Sequence, residues 1–254
     1  MNLYLDNNIL IDIEKGLLSI RDIQKNLEID LDKIYFSAAH IQEALEMTGD
    51  TDEEKNNRIL KRFDTISNIC KMDYLHEDMN NRVSILQRKP EEVYDTLITT
   101  HSFANNAMKG LISMIPESAK ESVRVQLGLN PILMNNYTPL EVTEHLKKKF
   151  SEFGQNGSIL ELLEQVKNFH PDGKSFGLSN DIAGVFEFLD MVGYWKDKVT
   201  SKSNYARLWD SNHTFFAAHC NYFISDDKRT RNKAKVAYHL FGISTKVLSS
   251  KGEE

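Results

Sequence analysis

The first ten residues, MNLYLDNNIL, constrain the fold more than any other stretch. Leu3, Tyr4 and Leu5 form a short apolar run that stops at Asp6, and Ile9–Ile11 form a second apolar group after Asn7 and Asn8. A run of this length, giving way to a helix-compatible segment, reads as a buried parallel strand entering a strand-to-helix turn. In open α/β sheets ligands bind beyond the carboxyl ends of the strands, and Asp6 falls at such an end. Taken alone, Asp6 reads more readily as a turn-forming Asx residue than as a ligand.

The same pattern recurs. Ile34–Phe36 is a second short apolar run, and Ser37 at its end suits the cap of a helix carrying Ala38, Ala39, Ile41, Glu43, Ala44 and Leu45. Near the other terminus Asp210–Cys220 reads as a helix and Tyr222–Ser225 as a buried strand ending at Asp226 and Asp227. Thr230–Leu240 follows as a basic helix stopped by Gly242, and Ser244–Leu248 as a last strand. Asn8–Gly16 and Leu17–Leu27 read as helices between the first two strands.

Residues 50–203 differ: they are polar, rich in Lys and Glu, and hold all five prolines. Helical apolar spacing occurs at Asn57–Ile69, Pro90–Met114, Pro139–Phe153, Ser158–Phe169 and Ser179–Lys198, and Ile69–Met72 is the one strand candidate. The expected fold is therefore α/β: a mostly parallel central sheet flanked by helices, built from residues 1–49 and 204–254. A large all-helical insertion or cap over 50–203 interrupts it.

Composition narrows the class. A hydrophobic share of 41% supports a packed core and excludes a disordered chain. No apolar run reaches the roughly 18 residues of a membrane span, and no secretory signal precedes the first strand. Two cysteines make no disulfide framework, so a cytoplasmic setting is expected. A net charge of -6 argues against broad adhesion to nucleic acid but leaves room for a local basic patch. Lys228, Arg229, Arg231, Lys233 and Lys235 supply one, with no acid among them. Cations at a helix start oppose the macrodipole, so helix stability does not account for them. They suit the phosphates of a strand, or else a plain solvated face. Lys147–Lys149 is a weaker case, flanked by Glu144 and Glu152.

Four acids share one context: Asp6 after the first strand, Glu43 on the helix after the second, Asp210 on a late helix, and Asp227 after a late strand. In this the chain resembles the PIN domain, a family of metal-dependent nucleases. The resemblance lies in Leu5–Asp6–Asn7–Asn8–Ile9–Leu10, in Ser37 with Glu43 six residues on, in Asp210 before Ala217–Ala218, and in Ile224–Ser225–Asp226–Asp227. It covers Met1–Met47 and Tyr205–Leu248 and leaves the middle unaligned. It implies that Asp6, Glu43, Asp210 and Asp227 are both the catalytic acids and the ligands of Mg²⁺ or Mn²⁺. Asn8 would hold the first turn, Ser225 a metal-bound water, and Asp226 would fill a variable position. Lys228, Arg229, Arg231 and Lys233 would bind the nucleic acid.

Such chemistry needs hard oxygen ligands, a held water and charge stabilisation on the phosphate, and no Cys or His nucleophile. The implied activity is endoribonucleolytic hydrolysis of RNA or another single-stranded nucleic acid, in a toxin or defence setting. Room remains for an inhibitor protein and for an oligomer. A catalytically silent PIN-like module binding nucleic acid or protein is the alternative from another class, and a structure-specific DNA nuclease a third.

Plainer roles exist for each residue. Glu43 suits a solvated helix face, Asp210 a first-turn acid, and Asp226–Asp227 a turn or cap pair. His213 shares a helix face with Asp210 but suits a packed position, His219 and Cys220 lack the other ligands of a zinc site, and Trp195, Trp209, Tyr194 and Tyr205 suit packing more than base stacking. Mutual repulsion of four carboxylates predicts that Asp6→Asn or Asp210→Asn leaves the metal-free protein no less stable.

Overall fold

The computed structural model describes residues 1–98, 116–152, 157–169, 175–197 and 203–253. They fall into two compact units. The first holds the described residues of Met1–Met108, Phe216–Arg231 and Thr245–Glu254; the second holds those of Lys109–Phe215 and Asn232–Ser244.

The first unit is built on strand β1 (Asn2–Leu5). Leu3, Tyr4 and Leu5 are each at most 1% exposed, so both faces of the strand are covered, as a continuous apolar run requires. β1 pairs in parallel with β2 (Lys33–Ser37) on one side and with β5 (Tyr222–Ile224) on the other. β3 (Asp73–Glu77) joins β2 in parallel, β6 (Lys246–Leu248) joins β5 in parallel, and β4 (Val83–Gln87) closes the far edge antiparallel to β3. The order is β4-β3-β2-β1-β5-β6. The chain winds outward from β1 in one direction and returns beside it on the other. The topological switch point therefore lies between β1 and β5, where an open sheet of this kind offers a crevice to ligands.

Caps place the helices. Asp6 caps α1 (Asn7–Glu14), and Ser19 caps α2 (Ile20–Leu27) through a reciprocal box with Asp22. Ser37 caps α3 (Ala38–Leu45) as its sequence position foretold, and Thr51 caps α4 (Asp52–Cys70), whose first turn carries Asp52, Glu53 and Glu54. Helix α5 spans residues 90–98 in the described part; the rest of the expected Pro90–Met114 helix lies outside the described residues. Leu3, Leu5, Ile9, Leu10, Phe36, Ile41, Phe63 and Ile66 form the centre of the core. Each contributes on the order of 1.5–3 kcal/mol by leaving water.

Two expectations are corrected here. The stretch from residue 50 onward is not all helical, because β3 and β4 belong to the same sheet as β1 and β2. Nor is Ile69–Met72 a strand: α4 runs on to Cys70, Lys71 turns the chain at φ 57°, and the strand begins at Asp73.

Among the described residues the second unit is helical: α6 (Glu117–Gln126), α7 (Pro131–Met134), α8 (Pro139–Glu152), α9 (Ile159–Phe169) and α10 (Leu178–Val192), with most of α11 (Ser203–Ala217) and α12 (Lys228–Phe241). Helix α10 buries Ile182, Val185, Phe186, Leu189 and Val192 and packs against α6 and α9. Gly193 ends it at φ +88°, where a Cβ would stand 2.7 Å from Pro131. Beside this core lies a buried ion network. Lys120 Nζ donates to Asp190 at 2.7 Å, Arg207 lies 3.2 Å from Asp190 and clasps both oxygens of Glu187, and Lys233 donates to Asp197 at 3.0 Å. No described helix is long and apolar enough to cross a membrane.

Candidate functional site

The carboxyl ends of β1 and β5 are tied together by side chains. The ladder runs one residue past β1, because the Asp6 amide donates to Ile224 O at 2.8 Å. Asp6 itself is 3% exposed. Its Oδ1 accepts from the Asn7 amide at 2.7 Å, and its Oδ2 accepts from the Asn8 side-chain amide at 2.6 Å and from the Ser225 hydroxyl at 2.5 Å. These three donors are neutral: they orient the carboxylate and bring no countercharge themselves.

Asn8 bridges the two strand ends. Its Nδ2 also donates to Ser225 Oγ at 3.1 Å, and its Oδ1 accepts from the Asp226 amide at 3.2 Å. The Ser225 hydroxyl donates to Asp6 and accepts from Asn8 and from the Asp227 amide, which uses its full hydrogen-bonding capacity. In this arrangement Ser225 ties Asp6 to Asn8 and to the start of α12. Asn8 does more than shape the first turn.

Asp227 opens α12. Its Oδ1 accepts from the Arg229 amide at 2.7 Å and the Thr230 amide at 3.4 Å, and the side chain stays half-buried. Asp226 points elsewhere, to the Ser250 amide and hydroxyl at 2.8 and 2.7 Å. Successive residues leaving a strand diverge in this way, so the two acids occupy different surroundings.

Glu43 lies on α3, half-buried. Burial, the largest cause, pushes the Tyr4 phenol well above its ordinary pKa, and the charges of Asp6 and Glu43 push the same way. The Tyr4 phenol sits between β1 and the start of α3. Its hydroxyl lies 2.6 Å from Ser37 Oγ and 3.4 Å from His40 Nδ1. His40 is a residue that the sequence reading missed. Its Nε2 donates to Leu5 O at 2.8 Å, and its Nδ1 accepts from the Ser37 amide at 3.1 Å, which assigns the neutral Nε2–H tautomer. The visible signal was its place three residues after the Ser37 cap, where Glu or Gln usually completes a box.

Asp210 belongs to the second unit, on α11, half-buried, with its carbonyl accepting from the Thr214 hydroxyl at 2.8 Å. His213 on the same helix is fully buried, and Trp209 and Tyr194 are buried too, in keeping with packing. Burial pushes the Cys220 thiol up to about 12, as suits a core residue. Among the described residues no group of three or more His, Cys, Asp or Glu side chains is placed to hold a metal ion.

The basic run is divided. Lys228 is exposed and Arg229 half-buried, but Arg231 is 6% and Lys233 1% exposed. Arg231 donates to Ser225 O at 2.8 Å, and Lys233 belongs to the ion network of the second unit. Arg231 and Lys233 are thus corrected from surface phosphate contacts to buried structural cations. Sequence alone gave them one polarity and could not show which helix face turned inward. The chain was compared with family models, with curated proteins and with solved structures, and no match was found.

Proposed function

We propose that the chain is a PIN-like α/β nuclease that hydrolyses RNA at the carboxyl edge of β1 and β5. The observation that carries this reading is the interlock of Asp6, Asn8, Ser225 and Asp227 across the switch point of a mostly parallel sheet. Glu43 supports it by its place on α3, the helix that leaves the carboxyl end of β2 beside β1. The donors fit Mg²⁺ or Mn²⁺ in chemistry, being carboxylate oxygens only, with Asp6, Glu43 and Asp227 of the first unit as the residues to hold the ion. Such an ion supplies a water of lowered pKa and charge stabilisation on the phosphate. The chain's own residues do the positioning: Asn8 and Ser225 fix the Asp6 carboxylate, and the α12 cap fixes Asp227. The exposed Lys228 and half-buried Arg229 face the strand phosphates.

A second reading is favoured by a separate observation. No three-carboxylate group is assembled among the described residues, and Asp6 already accepts three hydrogen bonds. A silent PIN-like module would use the same edge for binding alone. Calorimetric titration with Mn²⁺, alongside cleavage of a labelled single-stranded RNA, separates the two. The nuclease reading expects saturable uptake and Mn²⁺-dependent cleavage, both lost in Asp227→Asn. RNA binding with neither metal uptake nor cleavage supports the silent module.

A further inference from the structure

The outer strands of the first unit carry a feature that the proposed cleavage does not use. A pocket of about 210 Å³ lies among β3, Arg88 just after β4, and helix α5. Tyr74 and His76 alternate along β3 and so share one face; their ring centroids are 5.9 Å apart at 33°. Phe36 continues the row inward, 5.2 Å from Tyr74. Val93 on α5 supplies an apolar wall opposite.

Two polar groups beside this aromatic row, His76 and Arg88, retain capacity. Among the described residues His76 makes no hydrogen bond and the Arg88 guanidinium no ion pair. Burial pushes the Tyr74 phenol up to about 12, with the Arg88 charge pulling the other way, so the phenol keeps its proton near neutral pH. The volume lies below the roughly 300–1,000 Å³ of sites for drug-sized ligands, so it admits a single ring system. A flat ligand with a hydrogen-bonding edge suits the aromatic row and His76, and an anionic group suits the exposed Arg88.

We propose that this pocket binds one nucleobase, with its phosphate beside Arg88, either as a free nucleotide or as one residue of a strand. None of Asp6, Glu43, Asp210 and Asp227 takes part, so the inference stands apart from the metal question. A base read here would give the protein a nucleotide preference. Stacking on aromatic side chains tolerates every base, and the edge contacts discriminate among them.

The test is a titration of the full chain, by ¹H–¹⁵N NMR, with AMP, GMP, CMP, UMP, ribose 5-phosphate and a tetraribonucleotide. His76→Ala and Arg88→Ala are measured beside wild type, both at positions open enough to solvent for the fold to survive. At least one nucleotide is expected to saturate, with ribose 5-phosphate at least tenfold weaker and each substitution weakening binding about tenfold. A tetranucleotide binding more than tenfold tighter, with the same loss in both variants, assigns the base to a strand. Equal affinity assigns it to a free nucleotide. Ribose 5-phosphate binding as well as the nucleotides, no saturation by any of them, or binding unchanged in both variants would overturn the proposal. Mn²⁺ uptake by the same proteins, recorded in parallel, tells failure of this pocket from failure of the edge reading.

Discussion

Two buried carboxylates, one in each unit, are held by different means. Asp6 takes hydrogen bonds from a backbone amide, an Asn side chain and a Ser hydroxyl. Asp190 is paired with the cations Lys120 and Arg207, with Lys233 3.9 Å away, and accepts one neutral donor, the Asp197 amide, at 3.0 Å. Neutral donors fix direction and leave charge in place, whereas cations cancel it. The second arrangement is scaffold. The first is what a strand end needs if its charge is to act on something else.

The comparison breaks most visibly at Asp190. Asp190→Ala leaves Lys120 without its carboxylate inside the second unit, and a loss of about 3–5 kcal/mol is expected in urea unfolding. Burial alone would raise the pKa of Asp190, but Arg207, Lys120 and Lys233 reverse this and hold it below the ordinary value. Its folded pKa is therefore below its unfolded one. Its contribution is complete above roughly pH 4 and fades as pH falls through the folded value. Melting temperatures of wild type and Asp190→Asn recorded from pH 7 to 2 should converge at the acid end.

Asp6→Asn comes next. Repulsion among carboxylates led to the expectation of unchanged or higher stability. With the observed contacts, a loss of about 1–3 kcal/mol without metal is expected instead, because a buried acceptor is replaced by a donor facing Asn8 and Ser225. Stability equal to wild type would mean that charge strain at this edge offsets those bonds. Ser37→Ala should cost about 1 kcal/mol by loss of the α3 cap, read as a shift in denaturation midpoint.

The smallest effects sharpen the contrast between scaffold and function. Asn caps a helix nearly as well as Asp, so Asp227→Asn should change stability by only a few tenths of a kcal/mol. With Arg231 and Lys233 buried, neutralising Lys228 and Arg229 alone should flatten the salt dependence of RNA binding by roughly 0.7 log units per contact. An unchanged slope would return both to the solvated face.

Much of the inner sheet was legible in short apolar runs: Leu3–Leu5, Ile34–Phe36 and Tyr222–Ser225 each mark a strand covered on both faces. β3 and β4 were not, because DYLHE and VSILQ mix polar residues into an edge that is only partly buried. The bond from Ser225 to Asp6 joins residues 219 apart, yet both ends were visible as acids or hydroxyls at strand ends. The fate of Lys233 was not visible, since its partners Asp190 and Asp197 lie on distant stretches that no local spacing connects to it.

Thermal unfolding with EDTA and with Mn²⁺, on wild type and Asp227→Asn, tests the central claim most directly. A ligand of the native state raises its melting temperature. Wild type should gain several degrees from Mn²⁺, while Asp227→Asn, equally stable in EDTA, should gain little. A wild type indifferent to Mn²⁺, or a variant that gains as much, would contradict a metal-dependent site at the carboxyl ends of β1 and β5.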